Sequence, residues 1–210
     1  MHRLHLHWLI TISLALLSAC GTSVVHEPTN KQVKKAVLSI AHGAGPCVVQ
    51  QVTPNVLARA SINFEPCVRF FDLDGFSLER ALEHAIREQF ANHGVEVVVV
   101  PFGHRLPKDI DAVIDITPSV WGYGFGPYGE RSLGRLRPMV GMRVQITSTR
   151  TDKVLYSDSF AYSYQVPKAP GHSKYIFEDA SALKTPGVAV DGLNYGASTV
   201  AAYLVSEFMQ

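Results

Sequence analysis

The side chains of this 210-residue chain that could do chemistry are scattered along it, not gathered. Asp111 and Asp115 stand four apart in an alternating segment, so they share one face of a strand, from which two carboxylates can divide acid–base work. A solvent-facing strand edge is the plainer explanation. Asp72-Leu73-Asp74-Gly75 opens like a calcium loop, but such a loop needs its glycine at the sixth position and here it is fourth. Capping of the helix that follows accounts for these aspartates better. His84 and His93 fall on the polar side or the end of a helical pattern, and His42, His104 and His172 fall in loops, as surface histidines do. There is no G-x-S-x-G elbow, no H-E-x-x-H, no P-loop, and no G-x-G-x-x-G between a strand and a helix. The expectation is a protein that is not an enzyme, with no metal site and no cofactor.

One segment stands out as a binding candidate. Trp121-Gly-Tyr123-Gly-Phe125-Gly-Pro127-Tyr128-Gly129 alternates rings with glycines, and Arg131, Arg135 and Arg137 follow. Tyr, Trp and Arg dominate interface hot spots because they bury large areas and keep polar handles. On a loop or strand extension, Trp121, Tyr123, Phe125, Tyr128, Arg131 and Arg135 would meet a protein partner, a lipid interface or a peptidoglycan strand. On a long hairpin the same rings would fold back onto the sheet. Both readings stand at this point.

The elements that must position these residues alternate between the two periods of regular structure. Ala36 to Ala41 is a β-prone run after Lys34-Lys35, His42 to Pro46 is a glycine-rich turn, and Val56 to Phe64 reads as a second strand or irregular cover. Ser77 to His93 is the clearest helix, with Leu78, Ala81, Leu82, Ala85, Ile86 and Phe90 on one stripe and Glu83 and Arg87 paired on the other face. Ser77 can cap its start and Gly94 can end it. Val95 to Val100 is near-continuously apolar, the mark of a strand covered on both faces. Asp111 to Tyr123, Val140 to Thr147 and Val154 to Tyr164 are further strands, the last two a hairpin about Thr149 to Lys153 with Tyr156, Phe160, Tyr162 and Tyr164 on one side. Val190 to Phe208 closes the chain as a helix, whose Gly192 and Gly196 each weaken it by about 1 kcal/mol relative to Ala. This order implies the α+β class: a single domain, residues 33–210, with a mixed or antiparallel sheet and two main helices packed on it.

The first nineteen residues are an address. Arg3 and three histidines precede the apolar run Trp8 to Leu17, which is half the ~20 residues that a spanning helix needs. Leu17-Ser18-Ala19-Cys20 resembles the bacterial lipoprotein signal, which implies cleavage before Cys20 and acylation of its sulfur. Residues 1–19 are then a signal peptide, and 20–32, rich in Thr, Ser, Asn and Pro, a tether with a reach of ~20 Å. The resemblance implies membrane attachment through acyl chains, and Gly21 in place of aspartate favours the periplasmic face of the outer membrane. With Arg3 removed the mature chain has equal numbers of basic and acidic side chains, which suggests neither nucleic acid nor an anionic membrane surface as a partner. With Cys20 acylated in an oxidising space, Cys47 and Cys67 remain as a candidate disulfide.

The domain has a further resemblance. A helix running into "His-Gly-Val-Glu-Val-Val-Val-Val", then "Asp-Ala-Val-Ile-Asp-Ile", then a "Thr-Asp-Lys-Val-Leu-Tyr-Ser" turn, is similar to periplasmic lipoproteins related to the curli-secretion lipoprotein and the LpoB-type activators of penicillin-binding proteins. That resemblance implies action through protein contacts: a binding or assembly role in envelope biogenesis, or, as the competing reading, a ring subunit of an outer-membrane secretion apparatus.

Overall fold

A fourteen-residue strand, β5 (Ala112–Phe125), organises the molecule, and every other strand is placed relative to it. The computed structural model describes residues 32–43, 45–52, 62–65, 75–101, 103–125, 135–162, 172–178, 181–185 and 187–210; residues 1–31, which hold the expected signal peptide and nearly all of the expected tether, lie outside them. The elements are β1 (Lys35–Ile40), β2 (Cys47–Val52), β3 (Ile62–Glu65), α1 (Leu78–Asn92), β4 (Glu96–Val99), β5, β6 (Leu136–Ser148), β7 (Val154–Tyr162) and α2 (Val188–Phe208). Short 3-10 turns at His172–Tyr175 and Ala182–Lys184 precede α2.

The sheet is mixed and has seven strands. One edge of β5 pairs antiparallel with β6 along its length, from Ala112↔Ser148 to Phe125↔Leu136, and β7 pairs antiparallel with β6. The other edge of β5 is shared. Its first half takes β1 in parallel, Ala36↔Ala112 to Ile40↔Ile116, and its second half takes β2, Cys47↔Trp121 to Val49↔Tyr123. Beyond these, β4 lies parallel to β1 and β3 antiparallel to β2. The hand-over from β1 to β2 coincides with a bulge between Pro118 and Val120, where proline has no N–H to give to a ladder. Gly45 passes so close there that a Cβ would lie 2.3 Å from the Ser119 carbonyl oxygen.

Both helices pack on one face of the sheet and against each other. Leu78, Leu82, Ala85, Ile86 and Phe90 form the buried stripe of α1, as the 3.6-residue period requires. Leu193, Ala197, Val200, Leu204 and Phe208 do the same for α2, and Phe90 meets Phe208 edge-on at 5.9 Å. Each fully buried large side chain contributes on the order of 1.5–3 kcal/mol. From β5 and β6 come Ala112, Ile114, Ile116, Val140, Met142, Val144 and Ile146, all buried in the same core.

The α+β class, the single domain and the two packed helices agree with the sequence reading, and several details differ. β4 is a short edge strand: Val97 is buried, but Glu96 is exposed and Val99 is 37% exposed, so the valine run is not covered on both faces. β2 was not expected. Of Val56 to Phe64 only the last three residues are described, in β3. Tyr164, expected in the hairpin partner, lies outside the described residues, and α2 starts two residues earlier than its apolar stripe suggests.

Candidate functional site

The aromatic and glycine segment is strand, not loop, through Phe125, and its rings divide. Tyr123 is fully buried, and its hydroxyl donates to the Ala189 carbonyl oxygen at 2.6 Å, tying β5 to the first turn of α2. Burial drives its phenol pKa far above the ordinary tyrosine value. Phe177 packs on it edge-on at 6.1 Å and joins β6 through reciprocal backbone bonds with Leu136. Tyr123 is therefore a core residue with no surface to offer a partner, which corrects its place among the binding candidates. Arg137 is also buried. Arg135 is exposed and pairs with Glu178 at 3.0 Å, pinning the 172–178 segment to the end of β6. Phe125 ends β5 opposite Leu136. Tyr128 and Arg131 lie outside the described residues, as do Cys20 and Cys67. Cys47 opens β2 opposite Trp121.

Trp121 has a different environment. It is half-buried, and its ring lies 5.4 Å from that of Phe76, tilted by 38°. Phe76 immediately precedes the α1 cap, where Ser77 accepts a hydrogen bond from the Arg80 N–H at 3.3 Å. An apolar residue just before a cap and another at the fourth helical position, here Ala81, form the staple that sets how the chain enters a helix. The staple leaves Phe76 on the wall of an open groove between the N-terminal halves of the two helices. Arg80 and His84 line the α1 side, and Val190, Asn194 and Ser198 the α2 side. Arg80 also donates to the Gly75 carbonyl oxygen at 2.9 Å, which holds its guanidinium over the groove mouth. Phe76 gives the groove one aromatic wall, backed by Trp121, and the rim offers a cation, an imidazole, an amide and a hydroxyl, a set that can anchor an apolar side chain and bond the chain around it. Sequence reasoning named Trp121 here and missed Phe76, Arg80 and Asn194; the staple pattern was the available signal for Phe76.

The carboxylates do structural work. Asp111 accepts from the backbone N–H groups of Lys34 and Lys35, each at 3.0 Å, and pairs with Arg150. These bonds hold its pKa below the usual carboxylate value, led by the one from Lys34. Asp115 is raised instead, by desolvation. The two therefore titrate apart, but Asp111 is committed to the entry of the chain into β1. Among the described residues no three His, Cys, Asp or Glu side chains gather.

No family model matches the chain, and no curated protein matches it. Solved structures similar to it include a DUF330-family protein of Xanthomonas campestris, at 12% identity over 84% of each chain with a TM-score of 0.43. A PelC dodecamer of Paraburkholderia phytofirmans is similar at 16% identity, over 85% of this chain and 90% of that one, with a TM-score of 0.44. Likeness at that level leaves the reading of this chain to its own residues.

Proposed function

We propose that the chain is a lipid-anchored periplasmic protein, held at the outer membrane through Cys20, with a non-catalytic binding or assembly role in the cell envelope. One geometric observation carries this reading: the attachment end and the groove are at opposite poles. The described chain begins at Gln32, beside Asp111 and Arg150, where β1 and β5 start. Trp121 lies nine residues further along β5, roughly 30 Å away at strand rise. A body tethered at the first pole presents Phe76, Trp121, Arg80 and Asn194 away from the bilayer, where a partner can reach them. The partner class is an envelope protein contributing an apolar side chain to the groove, with a peptidoglycan strand as the other occupant to be tested.

The experiment places a photo-crosslinking side chain at His84 or Asn194 in living cells, with a control at Glu178. A discrete protein adduct from the groove positions, absent from the control and lost in Trp121→Ala, supports the reading. Adducts that are equal at all three sites, or metabolic palmitate that labels the wild type no better than Cys20→Ser, refute it.

The ring-subunit alternative has one observation of its own. Among the described strands β7 pairs only with β6, so the sheet ends on a nine-residue strand. Sheet edges accept further strands. Native mass spectrometry in mild detergent separates the two readings, because a ring gives a high-order oligomer and an adaptor a monomer or dimer.

A further inference from the structure

The charge of this chain cancels in total but not in space. Six cations stand at the pole where the chain enters β1: Lys34 and Lys35 on the entering segment, Arg105 and Lys108 on the loop before β5, and Arg150 and Lys153 on the β6–β7 turn. All but Lys35 are exposed. Four acids share this pole, and two are used internally, Glu96 by Lys35 at 3.2 Å and Asp111 by Arg150 and two backbone N–H groups. α2 and β7 carry Asp158, Asp191 and Glu207 and no lysine or arginine, and the groove end has cations of its own in Arg80, Arg135, Lys174 and Lys184. The attachment pole is thus a local cluster in which cations outnumber acids.

The three segments of this pole are fastened together. The Thr149 hydroxyl donates to the Ile110 carbonyl oxygen, and the Thr149 N–H donates to the Asp111 carbonyl oxygen at 3.0 Å. Leu106 and Pro107 share a shallow depression with Ile110, Thr149 and Arg150. Gln32 and Val33 line an adjoining one with Arg150, Lys153 and Leu155. Large apolar side chains exposed by more than a third number three among the described residues, and two of them, Leu106 (43%) and Val154 (50%), are here. Exposed aliphatic side chains among lysines and arginines on a rigid surface match the interfacial zone of a bilayer, where the alkyl groups enter the headgroup layer and the cations meet lipid phosphates.

We propose that this pole is a membrane-docking surface for the anionic phospholipids of the leaflet that holds the anchor. Leu106 and Val154 sit at headgroup depth, with Lys34, Arg105, Lys108, Arg150 and Lys153 around them. The inference rests on the anchored reading above, because a tether of about a dozen residues keeps the pole at high effective concentration over the bilayer and lets a weak surface contact be occupied. Docking fixes the orientation of the domain, which attachment at Cys20 alone does not.

The test uses the acylated full-length protein, purified in mild detergent and reconstituted into phosphatidylethanolamine–phosphatidylcholine vesicles with or without phosphatidylglycerol. Backbone amide exchange is followed over 103–110 and 149–154. Phosphatidylglycerol is expected to slow exchange in both segments several-fold while leaving α1 unchanged. High salt, or the pair Arg105→Glu and Lys108→Glu, is expected to abolish that protection. Leu106→Ser, at an exposed position, lowers it without shifting the melting temperature. Exchange that ignores phosphatidylglycerol in an acylated chain that floats with the vesicles overturns the docking surface alone. A chain that lacks the acyl mass overturns the anchored reading, and the docking proposal with it.

Discussion

Replacing Gly192 by alanine tests the packing of this fold with a sign, not only a magnitude. Glycine inside a helix costs about 1 kcal/mol relative to alanine, so helix propensity alone makes Gly192→Ala stabilising. The structure reverses this. A Cβ on residue 192 would lie 2.3 Å from the Tyr123 Oη, 3.1 Å from Pro138 and 3.3 Å from the Tyr123 ring. Tyr123 cannot step aside cheaply, because its hydroxyl is bonded to Ala189 and Phe177 packs against its ring. Either the hydrogen bond breaks, at about 1–2 kcal/mol, or α2 lifts off β5 and β6, at an overpacking cost of about 1–3 kcal/mol. Against the propensity gain the net is a loss of up to about 2 kcal/mol, which lowers the melting temperature by up to about 8 °C in a domain of this size. Thermal unfolding followed by circular dichroism reads it. Tyr123→Phe removes the clashing oxygen, so Gly192→Ala with Tyr123→Phe is expected to melt above Gly192→Ala alone, a coupling that only contacting residues show. A Gly192→Ala protein that melts above the wild type refutes the close approach. Gly196→Ala is milder, because only a Val140 methyl at 2.9 Å opposes it.

The remaining predictions concern the two poles and the sheet edge. The folded-state pKa of Asp111 lies below its unfolded value, so its contribution is present above about pH 4 and lost as pH falls through the folded value. Asp111→Asn should therefore lower the denaturation midpoint at pH 7 and have little effect at pH 2. Asp115 has the opposite sign: desolvation raises its pKa, the folded state favours the protonated form, and stability falls as pH rises through that range. Asp115→Asn is accordingly neutral near pH 3 and stabilising at pH 7, by denaturant midpoints at both pH values. Cys47 and Cys67 are the two cysteines left once Cys20 is acylated. Unreduced protein is then expected to be two hydrogens lighter than reduced protein by mass spectrometry, and loss of a bridge closing about twenty residues to cost about 3 kcal/mol; two thiols that alkylate freely without reductant refute it.

What was legible in the sequence follows from which forces are local. The α1 stripe, its Ser77 cap and the β6–β7 alternation are set by period and nearest neighbours, and they stand in the structure, α1 with its ends moved by one residue and β6 with its start moved by four, to Leu136. β4 misled because a run of valines has the same composition whether a strand is sandwiched or sits at an edge with one face half-open; neighbours decide that, not the run. β2 was hidden because its pairing is non-local, with Cys47 meeting Trp121 across seventy-four residues. The same long-range pairing divided the aromatic segment. Alternation in β5 sends Trp121 and Tyr123 to one face, and the bulge and the position of α2 decide that Tyr123 lies under a helix while Trp121 packs behind Phe76. The glycines of α2 were read as weakness because nothing local to a helix announces a tyrosine hydroxyl from another element.

Orientation of the body connects the proposals, and the chain carries its own probe for it. Trp8 and Trp121 are the only tryptophans, and cleavage before Cys20 leaves Trp121 alone. If the cationic pole rests on the bilayer, β5 runs away from the surface and carries Trp121 roughly 30 Å from the first residue of the strand. Brominated acyl chains quench indole only at short range, so the fluorescence of the reconstituted mature protein should be indifferent to them. Moving the fluorophore by combining Leu106→Trp with Trp121→Phe should make the emission strongly quenched, and only when anionic lipid is present. If the wild-type emission is quenched instead, the groove and not the cationic pole faces the membrane, and Phe76 and Trp121 are lipid contacts with no room for a partner.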